Sequence, residues 1–418
     1  MFRFIHAADL HLDSPLRGLS ERQGAPVEEL RGASRKALDR LIEIAIGENV
    51  NFVLLSGDIY DQDWKDYSTG LYFRSKMAQL DAASISVYLI SGNHDAASVI
   101  TRKLTLSGNV TTFSSRSAET HRVPGLPVAI HGMSFPNRAV PDNLLPRYPA
   151  PVAGCFNIGM LHTSLAGAAG HDTYAPCSVE ELVAKGYDYW ALGHVHQPAV
   201  INQSPWIVYP GNIQGRHVRE TGARGCYLVT VDDDTRQVTE CRWTDLDVAR
   251  WAIVDIDLTG RDLTEEMEAL VRQGFADAVD HAADRLLAAR VILRGNTRLH
   301  STLLARAEHF EAEIEGWSQD FGTGRVWIEQ VRILTKPLID LTELSRQDPL
   351  VREVVEGLGE LADQPGQFPP EIEAMLNHLP GDLSQSLKES WSGHGWAGLA
   401  DETSQIILDR LTGKGGKP

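Results

Sequence analysis

Cysteine is scarce in this chain of 418 residues: Cys155, Cys177, Cys226 and Cys241 are widely spaced and form no CxxC pair. Such spacing fits reduced, buried thiols in a reducing compartment and gives no disulfide frame. Long apolar runs are missing too, since none approaches the roughly 20 residues of a membrane helix. The opening Met1-Phe2-Arg3-Phe4 runs straight into a strand-like stretch without a signal-peptide pattern. A cytoplasmic protein with no membrane partner is expected. Positive charge is short as well: 39 Lys and Arg against 56 Asp and Glu leave a formal net charge of −17, which argues against generic nucleic-acid binding. The deficit is uneven, because residues 1–250 hold 23 basic and 27 acidic side chains and residues 251–418 hold 16 and 29. With 43% hydrophobic and 23% charged residues, the remainder is ordinary folded protein, enough for one large domain and one or two smaller ones.

What is present is concentrated in five short runs: Asp9-Leu10-His11, Gly57-Asp58, Gly92-Asn93-His94-Asp95, Leu161-His162-Thr163 and Gly193-His194-Val195-His196. Each closes an apolar stretch, namely Phe2–Ile5, Phe52–Leu55, Val87–Ile90, Phe156–Met160 and Tyr187–Leu192, as expected of strands covered on both sides. Side chains two apart on a strand share a face, which pairs Asp9 with His11 and His194 with His196. Open α/β sheets bind ligands beyond the carboxyl ends of their strands, so one rim can gather all five runs. Asp9, His11, Asp58, Asn93, His162, His194 and His196 then supply seven donors, one bridging carboxylate and three others for each of two metals. Oxygen and imidazole without thiolate suit Mn2+ or another borderline divalent ion. Two such cations and two carboxylates leave a cationic pocket for a phosphate anion, and His94, with Asp95 as an orienting carboxylate, is left for the leaving-group side.

The ordered set resembles the calcineurin-like metallophosphoesterases. The wording of Phe4–Pro15, Tyr187–His196 and Tyr209–His217 is similar to the YhaO-type DNA repair exonucleases, relatives of the SbcD nuclease subunit. The resemblance implies one metal held by Asp9, His11, Asp58 and His196, a second held by Asp58, Asn93, His162 and His194, and His94 as the catalytic histidine. It also implies DNA as substrate, exo- or endonuclease action in repair, an SMC-like ATPase partner of the YhaN or SbcC type, and dimerisation as a common habit. One departure is that some nucleases of the superfamily carry a second histidine where this chain has Asp61. A small-molecule phosphatase or nucleotide phosphodiesterase would share the same metal site, and a non-catalytic scaffold would need that site broken.

The fold expected is α/β: a two-sheet mixed β-sandwich flanked by helices over residues 1–250, a smaller α/β capping domain over 251–338, and a helical C-terminal region over 339–418. In the first part, Val27–Ile46 and Ser68–Leu80 read as helices. From Trp251 the pattern is strand, helix, strand, helix, strand, with Arg294 and Arg298 as phosphate contacts. Val351, Val354, Val355, Leu358 and Leu361 make an apolar helical stripe on which a partner could dock. Arg216 and His217, in a glycine-rich run after the last motif, are candidate substrate contacts, as are His171 and Asp61. His6 and His131 read as structural.

Overall fold

Alternation along the strands decides what each residue of the first unit meets. In β1 (Phe2–Ala7) only Arg3 is exposed; Phe2 and Phe4 enter one core and Ile5 and Ala7 another. Beside β1 lie β2 (Phe52–Ser56), β3 (Ser86–Ile90) and β4 (Val110–Thr112), all parallel, with β11 (Gly225–Val231) and β12 (Val238–Asp245) added antiparallel on the other edge. A second six-stranded sheet is built alike. Its central strands β6 (Val128–Gly132), β7 (Phe156–His162), β8 (Tyr189–Gly193) and β10 (Trp206–Tyr209) are parallel, and β5 (Glu119–Arg122) and β9 (Ala199–Gln203) are its antiparallel edges.

Aromatic residues fill the space between the sheets. Phe4 stacks on Phe52 at 5.0 Å within the first sheet and meets Tyr189 of the second edge-on at 5.2 Å. Helices α2 (Ala33–Gly47) and α3 (Tyr67–Ala82) cover the outer face of the first sheet through Leu38, Leu41, Phe73 and Met77. The single helix expected over Val27–Ile46 is two, because α1 (Val27–Arg31) ends at Gly32 and α2 starts there. On the outer face of the second sheet, α5 (Val179–Ala184) is opened by a Ser178/Glu181 capping box and buries Leu182 beside Trp190.

The computed structural model describes residues 1–14, 25–61, 67–97, 105–165 and 174–338, with isolated positions between 349 and 356. The apolar stripe and the expected partner-binding region therefore lie outside the described residues. No helix among the described residues is long and apolar enough to cross a membrane.

After β13 (Ala249–Asp257) come α6 (Thr264–Ala282), β14 (Leu286–Thr297), α7 (His300–Ala305), α8 (Ala307–Gln319) and β15 (Val326–Pro337), the three strands forming one sheet in the order β13-β14-β15. The chain groups into two compact units whose segments interleave along the sequence. Among the described residues, 275–290 and 318–330 belong with 1–253, while 254–274, 291–317 and 331–338 form the other. Arg294 binds Asp255 (2.8 Å) and Asp257 (3.0 Å), and Arg298 lies 3.4 Å from Asp262. Both arginines expected to meet phosphate thus already face carboxylates.

Candidate metal centre

Every motif leaves the carboxyl end of a parallel strand: Asp9 and His11 after β1, Asp58 after β2, Asn93 at the start of α4 (Asn93–Ala97) after β3, His162 as the last residue of β7, and His194 and His196 after β8. Turning these side chains onto one point strains the backbone. Asp9 (φ 51°), His11 (42°), Asp58 (53°) and His194 (96°) are all left-handed, a conformation that costs a non-glycine residue of order 1–3 kcal/mol. Neighbouring loops hold them there. The Asp9, His11 and Leu12 amides donate to the carbonyls of Gly57, Asp58 and Ile59, each at 3.0 Å. The His194 amide donates to the Asp9 carboxylate (3.0 Å), and the His94 amide to Asp58 Oδ1 (2.9 Å). Close approach also needs glycine: a Cβ on Gly92 would lie 2.3 Å from Asp58 Oδ1, and one on Gly193 2.0 Å from the Ser56 carbonyl.

The donor atoms converge in three overlapping groups: Asp9, His11 and His196; His11, Asp58 and His94; Asp9, Asp58 and His162. Within each, they lie within 4.8 Å of one another. Asp58 Oδ2 stands 3.9 Å from His11 Nε2 and 3.5 Å from His162 Nε2, so Asp58 joins the His11 cluster to the His162 cluster. His162 Nδ1 donates to the Ser56 carbonyl (2.9 Å), which leaves Nε2 facing Asn93 Oδ1, 2.9 Å away. His11 Nε2 and His196 Nε2 face each other at 3.2 Å. Two ring nitrogens this close can share a proton or a metal ion, and with the Asp9 and Asp58 carboxylates beside them the donor set fits cations.

Protonation tells the same story without a metal. Burial alone would depress the His162 imidazole, but the Asp58 carboxylate, assisted by Asp9, pushes it up to about 9. Burial opposes ionisation of Asp58 as well, yet His162 and the other imidazoles hold its carboxyl far below the usual range. Burial pushes Asp9 up to about 6 against the pull of His196 and His162. His11 goes the other way, driven down to about 3 by burial and by the Arg216 charge.

Residues 2–198 match the calcineurin-like phosphoesterase family, and residues 251–336 match the middle domain of the metallophosphoesterase YhaO. The uncharacterized metallophosphoesterase YhaO of Bacillus subtilis (strain 168) is 40% identical over 232 residues, 54% of this chain and 57% of that protein. Residues 2–198 form a calcineurin-like metallophosphoesterase domain. The DNA double-strand break repair protein Mre11 of Methanopyrus kandleri is 25% identical over 305 residues, 65% of this chain and 63% of its own. Each alignment thus spans less than two thirds of the curated relative's length. A dimetal phosphatase from Danio rerio superposes with a TM-score of 0.37 at 14% identity, over 59% of this chain and 96% of that one, which adds nothing to the family match.

Around the metal donors of this metallophosphoesterase, the other candidates fall in different places. The His94 ring is partly exposed, stands edge-on to His11 with 4.9 Å between centroids, and has Nδ1 2.6 Å from Asp61 Oδ1. Although burial opposes it, Asp61 and Asp58 raise the His94 pKa. Asp61, rather than Asp95, is the carboxylate that touches this ring. Asp95 is buried and accepts the backbone amides of Ile59 (3.0 Å), Tyr60 (3.0 Å) and Gly92 (3.3 Å), fastening the Asp58 loop to the Asn93 loop. Arg216 lies 3.4 Å from Asp61 and 3.3 Å from Glu220, and Glu220 lies 2.7 Å from His196 Nδ1. Glu220 is absent from the sequence candidates. The signal that could have found it is that β10 is one more parallel strand whose carboxyl-end loop reaches the same rim. His217 is half exposed, 3.7 Å from Glu220, and His171 lies outside the described residues. His6 and His131 are fully buried in structural hydrogen bonds: His6 with Tyr189 and Leu192, His131 with Thr120 and Asn157.

Proposed function

We propose that this metallophosphoesterase hydrolyses phosphodiester bonds of DNA with a pair of divalent cations, Mn2+ first among them, as an exo- or endonuclease in repair. The observation that carries the hydrolytic reading is Asp58 joining two donor clusters, with the partly exposed His94 ring beside them. A divalent pair at this spot supplies Lewis acidity toward phosphoryl oxygens and lowers the pKa of water. The chain's own groups supply placement and the second proton. Asp61 holds His94 at Nδ1, which leaves Nε2 to donate toward the departing oxygen. Support for DNA comes from the similarity to Mre11, which extends over 65% of the chain, and from the YhaO-type wording of the motifs. Within the same reading, residues 339–418 would dock an SMC-like ATPase of the YhaN or SbcC type.

The carboxylates already facing Arg294 and Arg298 favour a second reading, a phosphodiesterase or phosphatase for small esters. The two separate in one assay. Purified full-length chain with Mn2+ is given end-labelled duplex and single-stranded DNA, bis-p-nitrophenyl phosphate and p-nitrophenyl phosphate. DNA cleavage abolished by EDTA is expected, whereas turnover of the small esters with intact DNA would remove the nuclease.

A further inference from the structure

We infer that Glu220 is a positioning residue of the metal centre, fixing which nitrogen of His196 is offered to the cation and joining that ligand, through Arg216, to the Asp61 carboxylate beside His94. The inference rests on the two-cation reading above and concerns a residue outside the seven donors.

Glu220 is 5% exposed, and its carboxylate is enclosed by nitrogen groups of His196, Arg216 and Asn212. Both oxygens are occupied by donors. Oε1 meets His196 Nδ1 (2.7 Å) and Arg216 Nη2 (3.3 Å); Oε2 accepts Asn212 Nδ2 (2.9 Å) and the Arg216 amide (2.8 Å). A carboxylate filled from both ends cannot rotate. It accepts the proton on His196 Nδ1, so the Nε2 lone pair is left facing His11 Nε2 at 3.2 Å. The same loop grips the backbone of His196, whose carbonyl accepts Arg224 Nη1 and the Asn212 amide. Arg216 Nη1 reaches Asp61 Oδ2 at 3.4 Å, so one guanidinium joins the carboxylate behind His196 to the carboxylate behind His94. Carboxylates behind metal-binding imidazoles orient the ring and raise its basicity, and their loss typically costs 10–100-fold in metal affinity or activity.

A neutral isostere breaks this set whichever way it turns. In Glu220→Gln, an amide oxygen toward His196 puts the NH2 against two donors, while the reverse places a donor against Nδ1 and favours the wrong tautomer. Calorimetric titration of the metal-stripped full chain with Mn2+ tests this. Wild type is expected to bind two ions, and E220Q to bind one of them about 10–100-fold more weakly with the other unchanged. A purely structural role would shift affinity independently of the imidazole, so the cycle with His196→Ala decides: E220Q in that background should weaken binding no further. Wild-type affinities in E220Q, or losses that multiply in the double variant, overturn the inference. Fewer than two ions on wild type would instead remove the binuclear reading itself. If E220Q does not fold, 15N spectra of the metal-free wild type at alkaline pH answer the same question. A proton on His196 Nδ1 is expected, and one on Nε2 overturns the inference.

Discussion

Two histidines do opposite work, and each can be tested alone. His94 is not one of the seven proposed metal donors, so His94→Ala should leave metal content near that of wild type and lower turnover by about 10²–10⁴-fold. Metal analysis beside an ester assay checks both halves, and surviving activity would remove His94 as the proton donor. His6 is buried neutral, driven down to about 3 by desolvation despite its bond to the Leu192 carbonyl. The unfolded chain takes up a proton there below about pH 6.5, and the folded chain does not until near its depressed value. Its contribution to stability is therefore complete above about pH 6.5 and lost progressively as pH falls toward about 3. Urea unfolding should show the stability gap between wild type and His6→Gln smaller by about 2 kcal/mol at pH 5 than at pH 8. An unchanged gap would mean that His6 is charged in the fold.

At the scale of elements, the loops were legible in part. Asp9, His11, Asp58, His162, His194 and His196 could be read because each ends an apolar strand, and the rule placing ligands beyond parallel strand ends needs only that pattern. Asp95 was read as the partner of His94 because the two are adjacent. A short helix turns adjacent side chains apart, and α4 sends Asp95 back to the Ile59 and Tyr60 amides instead. Glu220 was invisible for another reason: its loop begins at the end of β10, and ten residues without a donor motif separate it from Tyr209. Nothing local marks such a residue. The clamp formed by Asp95 yields its own expectation. Asp95→Ala strands buried amides, each at about 1–3 kcal/mol, so the melting temperature should drop by several degrees even in metal-free protein. A melt within a degree of wild type would mean that those amides find other partners.

For the whole molecule, the two sheets and their covering helices followed from strand-length apolar runs and helical spacing, whereas the grouping of residues 275–290 and 318–330 with the first unit did not. Elements beyond Trp251 read as one domain over 251–338, and the interleaving of their segments between the two units was not visible, because contacts between distant segments leave no mark on local periodicity. Metal should act on the entire fold by mass action. With free Mn2+ at a thousand times its dissociation constant, stabilisation is about 4 kcal/mol per site, so stripping with EDTA should lower the melting temperature and Mn2+ should restore it. No shift on addition would show that the ion does not bind the folded chain in preference to the unfolded one.

The donors come from both leaves of the sandwich: Asp9, His11, Asp58 and Asn93 from one, His162, His194 and His196 from the other. The ions would consequently act as a caliper across the stacked leaves, closed at one end while the Phe4, Phe52 and Tyr189 rings set the gap farther in. Thinning that aromatic filling, far from any reacting atom, ought to be felt first as a loosened grip on metal.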